Sequence, residues 1–168
     1  GSSYNNPPPS IKGIGFGGIK AGVAKRWEFT PKLHSQIGAL FHFQRIDLVY
    51  QPNPEQEYRM RMYPLTLEVP VHLSLDLVRP ENSVSALFGI RFNQALKNNS
   101  SFITLKDQFW AFDIGLGKEF STEKSTFQPA IIYSLGATDV FQFSNVETLS
   151  AGASPTIYVH QLSLQFRW

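Results

Sequence analysis

Cysteine is absent from the 168 residues, which excludes a disulfide framework, thiolate metal sites and a thiol nucleophile. Nowhere does the chain approach the run of about 18 apolar residues that a membrane-crossing helix needs. No segment carries a helical period, and mean hydropathy is slightly negative at -0.16. Charge is sparse as well: 17% of residues are charged and the net charge is +2. Nucleic-acid binding calls for basic residues clustered on one face, and no such cluster is present. The opening Gly1-Ser2-Ser3-Tyr4 lacks the basic and then apolar stretch of a secretory leader. For an exported protein, that start is the one expected of a mature or trimmed chain.

What the chain does have is aromatic residues, 14% of the total with 14 phenylalanines, and long period-two alternation. Leu65, Leu67, Val69, Val71, Leu73, Leu75 and Leu77 occupy odd positions; Thr66, Glu68, Pro70, His72, Ser74 and Asp76 stand between them. Alternation of this kind predicts a strand with one face in an apolar medium and the other in a polar one. Soluble sandwiches seldom sustain it so long with two carboxylates and a histidine on the polar face. A transmembrane barrel does, with lipid outside and a polar lumen inside.

The same pattern recurs through residues 11–25, 33–43, 84–93, 110–120, 127–138 and 158–168. Pro70 and Pro129 interrupt it locally, because proline removes a ladder donor. Short connections are expected near 26–32, at 79–82 and at 121–125, and long polar ones at 48–60, 97–107 and 139–155. Outer-membrane barrels share this asymmetry, with short periplasmic turns and longer outside loops. The predicted fold is therefore an all-β, up-and-down antiparallel transmembrane barrel over residues 11–168, preceded by a loop-like segment, residues 1–10. The last strand runs to a periplasmic C-terminus. Seven strands are visible, whereas closed bacterial barrels use an even number. Eight are expected, with the first strand and part of its loop missing from the sequence.

Several segments resemble the PorT-like outer-membrane β-barrel family of Bacteroidota: GFGGIKAGVAKRWEFTPKLHSQIGALFHFQRIDLVY (Gly15–Tyr50), LTLEVPVHLSLDL (Leu65–Leu77), FWAFDIGLGKEF (Phe109–Phe120), FQPAIIYSLGATDVF (Phe127–Phe141) and the closing HQLSLQFRW. The resemblance implies an eight-stranded barrel in a Gram-negative outer membrane with a strand before the first one seen here. It also implies a role like the founding member's in type IX protein secretion, and it brings no catalytic motif.

The lumen face is expected to hold Lys20, Arg26, Arg91 and Arg167 against Glu28, Glu68, Asp76, Asp113 and Glu119, with His34, His42 and His72 among them. An eight-stranded barrel is just wide enough for its own side chains to fill. These charges should therefore pair in a structural network. A sharper reading makes His42, His72, Ser74 and Asp76 a lipid-modifying catalytic set. Along one strand His72, Ser74 and Asp76 stand about 7 Å apart at each step, so the base would have to be His42. No metal is expected, since His34 and His42 lie more than about 25 Å apart along a strand. No cofactor is expected either. Trp27, Tyr63, Trp110, Tyr158 and Trp168 fall near strand ends, where interfacial aromatics belong.

The leading functional expectation is a non-enzymatic barrel in an outer-membrane protein complex for secretion or biogenesis, contacting lipid, lipopolysaccharide and other outer-membrane proteins. A lipid-modifying barrel enzyme is one alternative. A soluble lipocalin-like carrier is another, disfavoured by the large apolar faces it would expose to water.

Overall fold

A computed structural model describes residues 10–53, 55–77, 84–97, 103–121, 126–144 and 156–167. Eleven strands are present and no helix among them: β1 (Ser10–Thr30), β2 (Leu33–Asn53), β3 (Gln56–Met62), β4 (Leu65–Asp76), β5 (Val84–Lys97), β6 (Ile103–Leu105), β7 (Gln108–Lys118), β8 (Phe120–Ser121), β9 (Thr126–Gly136), β10 (Phe141–Ser144) and β11 (Gln161–Arg167). The main sheet runs β1-β2-β4-β5-β7-β9-β11, every neighbour antiparallel, and curls into a half-barrel. These are the seven strands expected from the alternation. The segments 1–9, 79–82, 122–125 and Trp168 lie outside the described residues.

The expected long loops turn out to carry strands of their own. β2 continues to Asn53 and turns back as β3, while β6 and β10 form a separate two-stranded sheet from the other two long connections. β2 is thus covered end to end by two partners, β3 over Ile46–Asn53 and β4 over Leu33–Phe43. The break between them falls at Tyr63, whose φ of 41° is left-handed and swings the chain from β3 into β4. A hydrogen bond from the Gln44 amide to the Pro64 carbonyl, 3.3 Å, spans the break. Pro70 sits inside β4, where the ladder to β2 skips Gly38 and Ala39. An ideal Cβ at Gly38 would lie 3.5 Å from the Pro70 ring. The proline is accommodated by a local gap in pairing rather than by an edge position.

Polarity inverts along the strands, near the level where a bulge between Gly15 and Gly18 shifts the β1–β2 register from Ile46 to Gln44. On β2 the inward residues are His34, Gln36, His42 and Gln44, followed by Ile46, Leu48 and Tyr50. The outward ones are Ile37, Ala39, Phe41 and Phe43, followed by Arg45 and Asp47. Beyond that level the interior becomes a conventional apolar core. Leu48, Tyr50, Met60, Met62, Tyr63, Ile103, Leu105, Phe109 and Val140 are buried together. Arg45 and Arg61 flank Asp47 on its outer face at 4.0 and 3.7 Å. Below it the arrangement is reversed, with apolar residues pointing outward around the whole sheet: Val23 (76% exposed), Leu162 (71%) and Leu116 (59%) typify the belt. The half-barrel is inside-out at one end and outside-in at the other.

Tyr63 is fully buried in the apolar end, stacked on Phe109 at 4.8 Å, with its hydroxyl donating to the Lys106 carbonyl at 2.6 Å. It is therefore a core residue and not the interfacial aromatic expected from sequence, because the chain folds back over it through β3. Trp27, Trp110 and Tyr158 do project outward, 42%, 48% and 49% exposed. Burial, then the nearby Asp107 carboxylate, push the Tyr63 phenol above its ordinary value. Its neutral form is thus favoured in the fold, so stability is complete below about pH 10 and falls as pH rises toward the folded-state value. Tyr63→Phe is expected to cost about 1 kcal/mol at neutral pH and to flatten that alkaline decline. Urea unfolding at pH 8 and above pH 10 checks both.

Candidate functional site

Most inward side chains of the inverted zone are polar, and those around Arg91 form one connected cluster. Period two makes β4 deliver Thr66, Glu68, Pro70, His72, Ser74 and Asp76 to the same face. β1 adds Lys20, β2 adds His34 and His42, β5 adds Arg91 and Asn93, β7 adds Asp113, β9 adds Ser134 and β11 adds Gln161.

Arg91 is the hub. Its Nη1 donates to Glu68 Oε2 at 2.8 Å and its Nη2 to Asp113 Oδ1 at 3.0 Å, with a further close contact from Nη2 to the Ser134 hydroxyl. Lys20 Nζ reaches the same Glu68 oxygen at 2.7 Å, and His42 Nδ1 lies 2.7 Å from the other. His72 Nε2 lies 2.8 Å from Asp113 Oδ2. Gln161 bridges from β11, its Oε1 accepting from Lys20 at 3.4 Å and Arg91 at 3.3 Å, while its Nε2 stands 3.2 Å from His42 Nε2. Two cations face two carboxylates; Lys20's side chain is 11% exposed and the other three are at most 3% exposed. Burial at this depth is tolerable only when charges are paired and hydrogen-bonded.

Register explains the partners. His72, Gly89 and Asp113 occupy one row across β4, β5 and β7. Gly89 has no side chain, so the imidazole passes over it to reach the carboxylate two strands away. A Cβ there would collide with the Val71 carbonyl and lie 2.7 Å from His72 Cδ2. The neighbouring row places Pro70, Arg91 and Ala111 side by side, which leaves the guanidinium room between small or rigid flanks.

The four candidate catalytic residues are not brought together as a triad. His42 is spent on Glu68 and His72 on Asp113. Ser74 and His34 are register partners, yet Ser74 Oγ, His34 Nε2 and Asp76 Oδ1 are all buried without a hydrogen-bond partner. Ser74 makes no hydrogen bond to a histidine among the described residues, and an inert hydroxyl needs such a base to become a nucleophile. Ser74→Ala is accordingly expected to stabilise the fold by about 1 kcal/mol, because it removes a buried hydroxyl without a partner, measured by urea titration. A loss of stability would reveal a partner for this hydroxyl.

Other expected lumen residues lie nearer the end where the β1–β2 turn sits. Arg26 pairs with Glu119 at 3.0 Å and stands 3.5 Å from Glu28, whose side chain is 71% exposed and so lies at the mouth rather than inside. Between that mouth and the charge cluster lies a small apolar layer of Leu87, Ala130 and Ile132. The Arg167 side chain lies outside the described residues. Among the described residues no group of three or more histidine, aspartate or glutamate side chains is placed to hold a metal. Ser134, Gln161 and Asn93 complete the network although the sequence reading did not single them out. Their inward parity was the available signal.

A cavity of about 900 Å³ opens beside this cluster, between β1 and β11. No helix among the described residues is long and apolar enough to cross a membrane, a statement that does not bear on β-barrels. No family model, curated protein or solved structure matches the chain.

Proposed function

We propose that this chain, with seven of the eight strands expected, forms an outer-membrane β-barrel that acts without catalysis as an accessory or structural component of an outer-membrane protein complex. The observation that carries the reading is the inversion of polarity. Apolar side chains point outward on all seven long strands at the same level where the interior holds Lys20, Glu68, Arg91 and Asp113. Water would leave that belt as an exposed apolar surface far larger than soluble monomers carry, which disfavours the lipocalin-like alternative. Lipid accommodates it. The aromatic rim supports the same placement: Lys25 Nζ lies 5.3 Å from the Trp27 ring and Lys118 Nζ 5.1 Å from Phe120, as cations beside interfacial aromatics do.

The outside-in end then stands beyond the bilayer as an apolar plug, with β3, β6 and β10 as its cover. The charge-balanced cluster across the interior of so narrow a barrel fits a structural role better than a conducting one. Residue pairings that occupy both His42 and His72 favour this over a lipid-modifying enzyme. The PorT-like resemblance makes type IX protein secretion, or related outer-membrane biogenesis, the process we assign.

Mild-detergent extraction from native outer membranes, with mass spectrometry of the co-purifying proteins, tests the assignment. Stoichiometric recovery of large secretion or barrel-assembly subunits is expected. A lone monomer with no partner would sink the accessory role.

A further inference from the structure

Resting on the membrane reading above, we infer that Arg45 and Arg61 hold the phosphate of an outer-leaflet glycolipid whose acyl chains lie over Phe41 and Phe43. The outward residues of β2 change character at a single step. Ile37, Phe41 and Phe43 are 42%, 48% and 55% exposed, and the next outward residue is Arg45. Successive outward positions on a strand stand about 7 Å apart. The polar layer of a bilayer is about 5–7 Å deep on each side of the hydrocarbon, so the Arg45 side chain starts within it. β3 adds Arg61 at the same height, because Asp47 and Arg61 are register partners.

The charges at this step do not cancel. Asp47 is 8% exposed and lies beneath the two arginines, whose side chains are 58% and 47% exposed. Arg45 Nε stands 4.0 Å from one Asp47 oxygen and Arg61 Nε 3.7 Å from the other. Neither distance is a hydrogen bond, so Asp47 draws the two cations together by charge alone. Two positive charges over one buried negative leave a positive surface beside the apolar belt. Arg59, two residues farther from the belt on β3, differs. It pairs with Glu57, which also accepts from Gln51 Nε2 at 3.0 Å, and that pair is neutral.

An amphipathic anion fits both halves of this surface. Guanidinium forks recognise phosphate through paired, charge-assisted hydrogen bonds. The adjoining Phe41 and Phe43 rings take the acyl chains of the same molecule, whereas an acidic peptide would use the arginines and leave those rings uncovered. The end that carries the long connections is the outside end of such a barrel. The leaflet meeting Arg45 and Arg61 is therefore the outer one, and the phosphate there belongs to a glycolipid rather than to a phospholipid.

Native mass spectrometry of the full-length polypeptide, purified in mild detergent and stripped of lipid, tests this. The protein is offered phosphorylated lipid A, the same glycolipid after phosphatase treatment, phosphatidylglycerol, or an oligoglutamate peptide. Phosphorylated lipid A is expected to bind about tenfold or more tightly than the other three. Arg45→Gln combined with Arg61→Gln should weaken it about tenfold or more, while Arg59→Gln leaves it within about twofold. Arg45→Lys combined with Arg61→Lys keeps the charge without the fork and should recover part of the loss. Undiminished binding by the double glutamine variant overturns the proposal. So does binding of any of the other three probes as tight as that of lipid A, or an equal loss in Arg59→Gln. Heat-modifiable migration and membrane fractionation of every variant test the membrane reading separately. A heat-modifiable, membrane-bound barrel with any of those results sinks the lipid site alone, and a protein recovered from the soluble fraction sinks both.

Discussion

Arg91→Ala is expected to destabilise the fold by about 3–5 kcal/mol, the cost of leaving buried charge uncompensated. Arg91 is 2% exposed and pairs with both Glu68 and Asp113. Its removal leaves Lys20 and His42 on Glu68, and His72 with the Ser134 hydroxyl on Asp113. Urea unfolding in detergent micelles, followed by tryptophan fluorescence, measures the loss. Where Arg91→Ala does not fold, Arg91→Lys keeps the protein measurable. It restores the charge but cannot reach both carboxylates with a planar fork, so it should recover only part of the stability. Combining Arg91→Met with Asp113→Asn should cost less than Arg91→Ala alone, because the stranded charge goes with its partner. A change of under 1 kcal/mol for Arg91→Ala would mean that water, not protein, satisfies this cluster.

The second large effect lies on the outer surface. Ile114→Lys, at a position 53% exposed in the middle of β7, is expected to cost about 2–4 kcal/mol if lipid covers it. An exposed isoleucine in water would tolerate the same change within about 0.5 kcal/mol. Tyr58→Lys provides the contrast. Tyr58 is 41% exposed on β3, beyond the level where polarity inverts, and it stacks on Tyr50 at 6.0 Å. Losing that stacking should cost no more than about 1 kcal/mol. Similar small effects at both positions would remove the membrane placement, whatever the barrel's role. A large effect at Ile114 alone would mark the depth of the bilayer on the strands.

Much of this architecture was legible in the order of residues. Side chains alternate across a strand whatever lies beside it, so the inward set on β4 and the outward belt could be read directly. The seven long strands and the lumen positions of Lys20, Glu68, Arg91 and Asp113 followed from that parity alone. Alternation also explains where the reading stopped. Beyond Gln44 the inward positions of β2 turn apolar, and through Leu48, Val49 and Tyr50 both faces are apolar, which removes the contrast that defined the strand. The stretch then resembles a loop and hides β3, while β6 and β10, three and four residues long, are hidden in the other two long connections. Tyr63 was misplaced for the same reason: nothing local distinguishes an aromatic at a membrane rim from one folded under a hairpin.

Partners, in contrast, belong to register and therefore to tertiary structure. Parity puts His42, His72, Ser74 and Asp76 on one face but does not decide which imidazole meets which carboxylate. That choice depends on a glycine, Gly89, falling in the same row as His72 and Asp113, and on the β2–β4 register that sets His34 opposite Ser74. By itself the sequence determined an alternating sheet with a polar inner face, because strand geometry is local. Only the fold decided that the inner charges neutralise one another and that the serine stands apart, because those contacts join residues 22 to 141 positions apart.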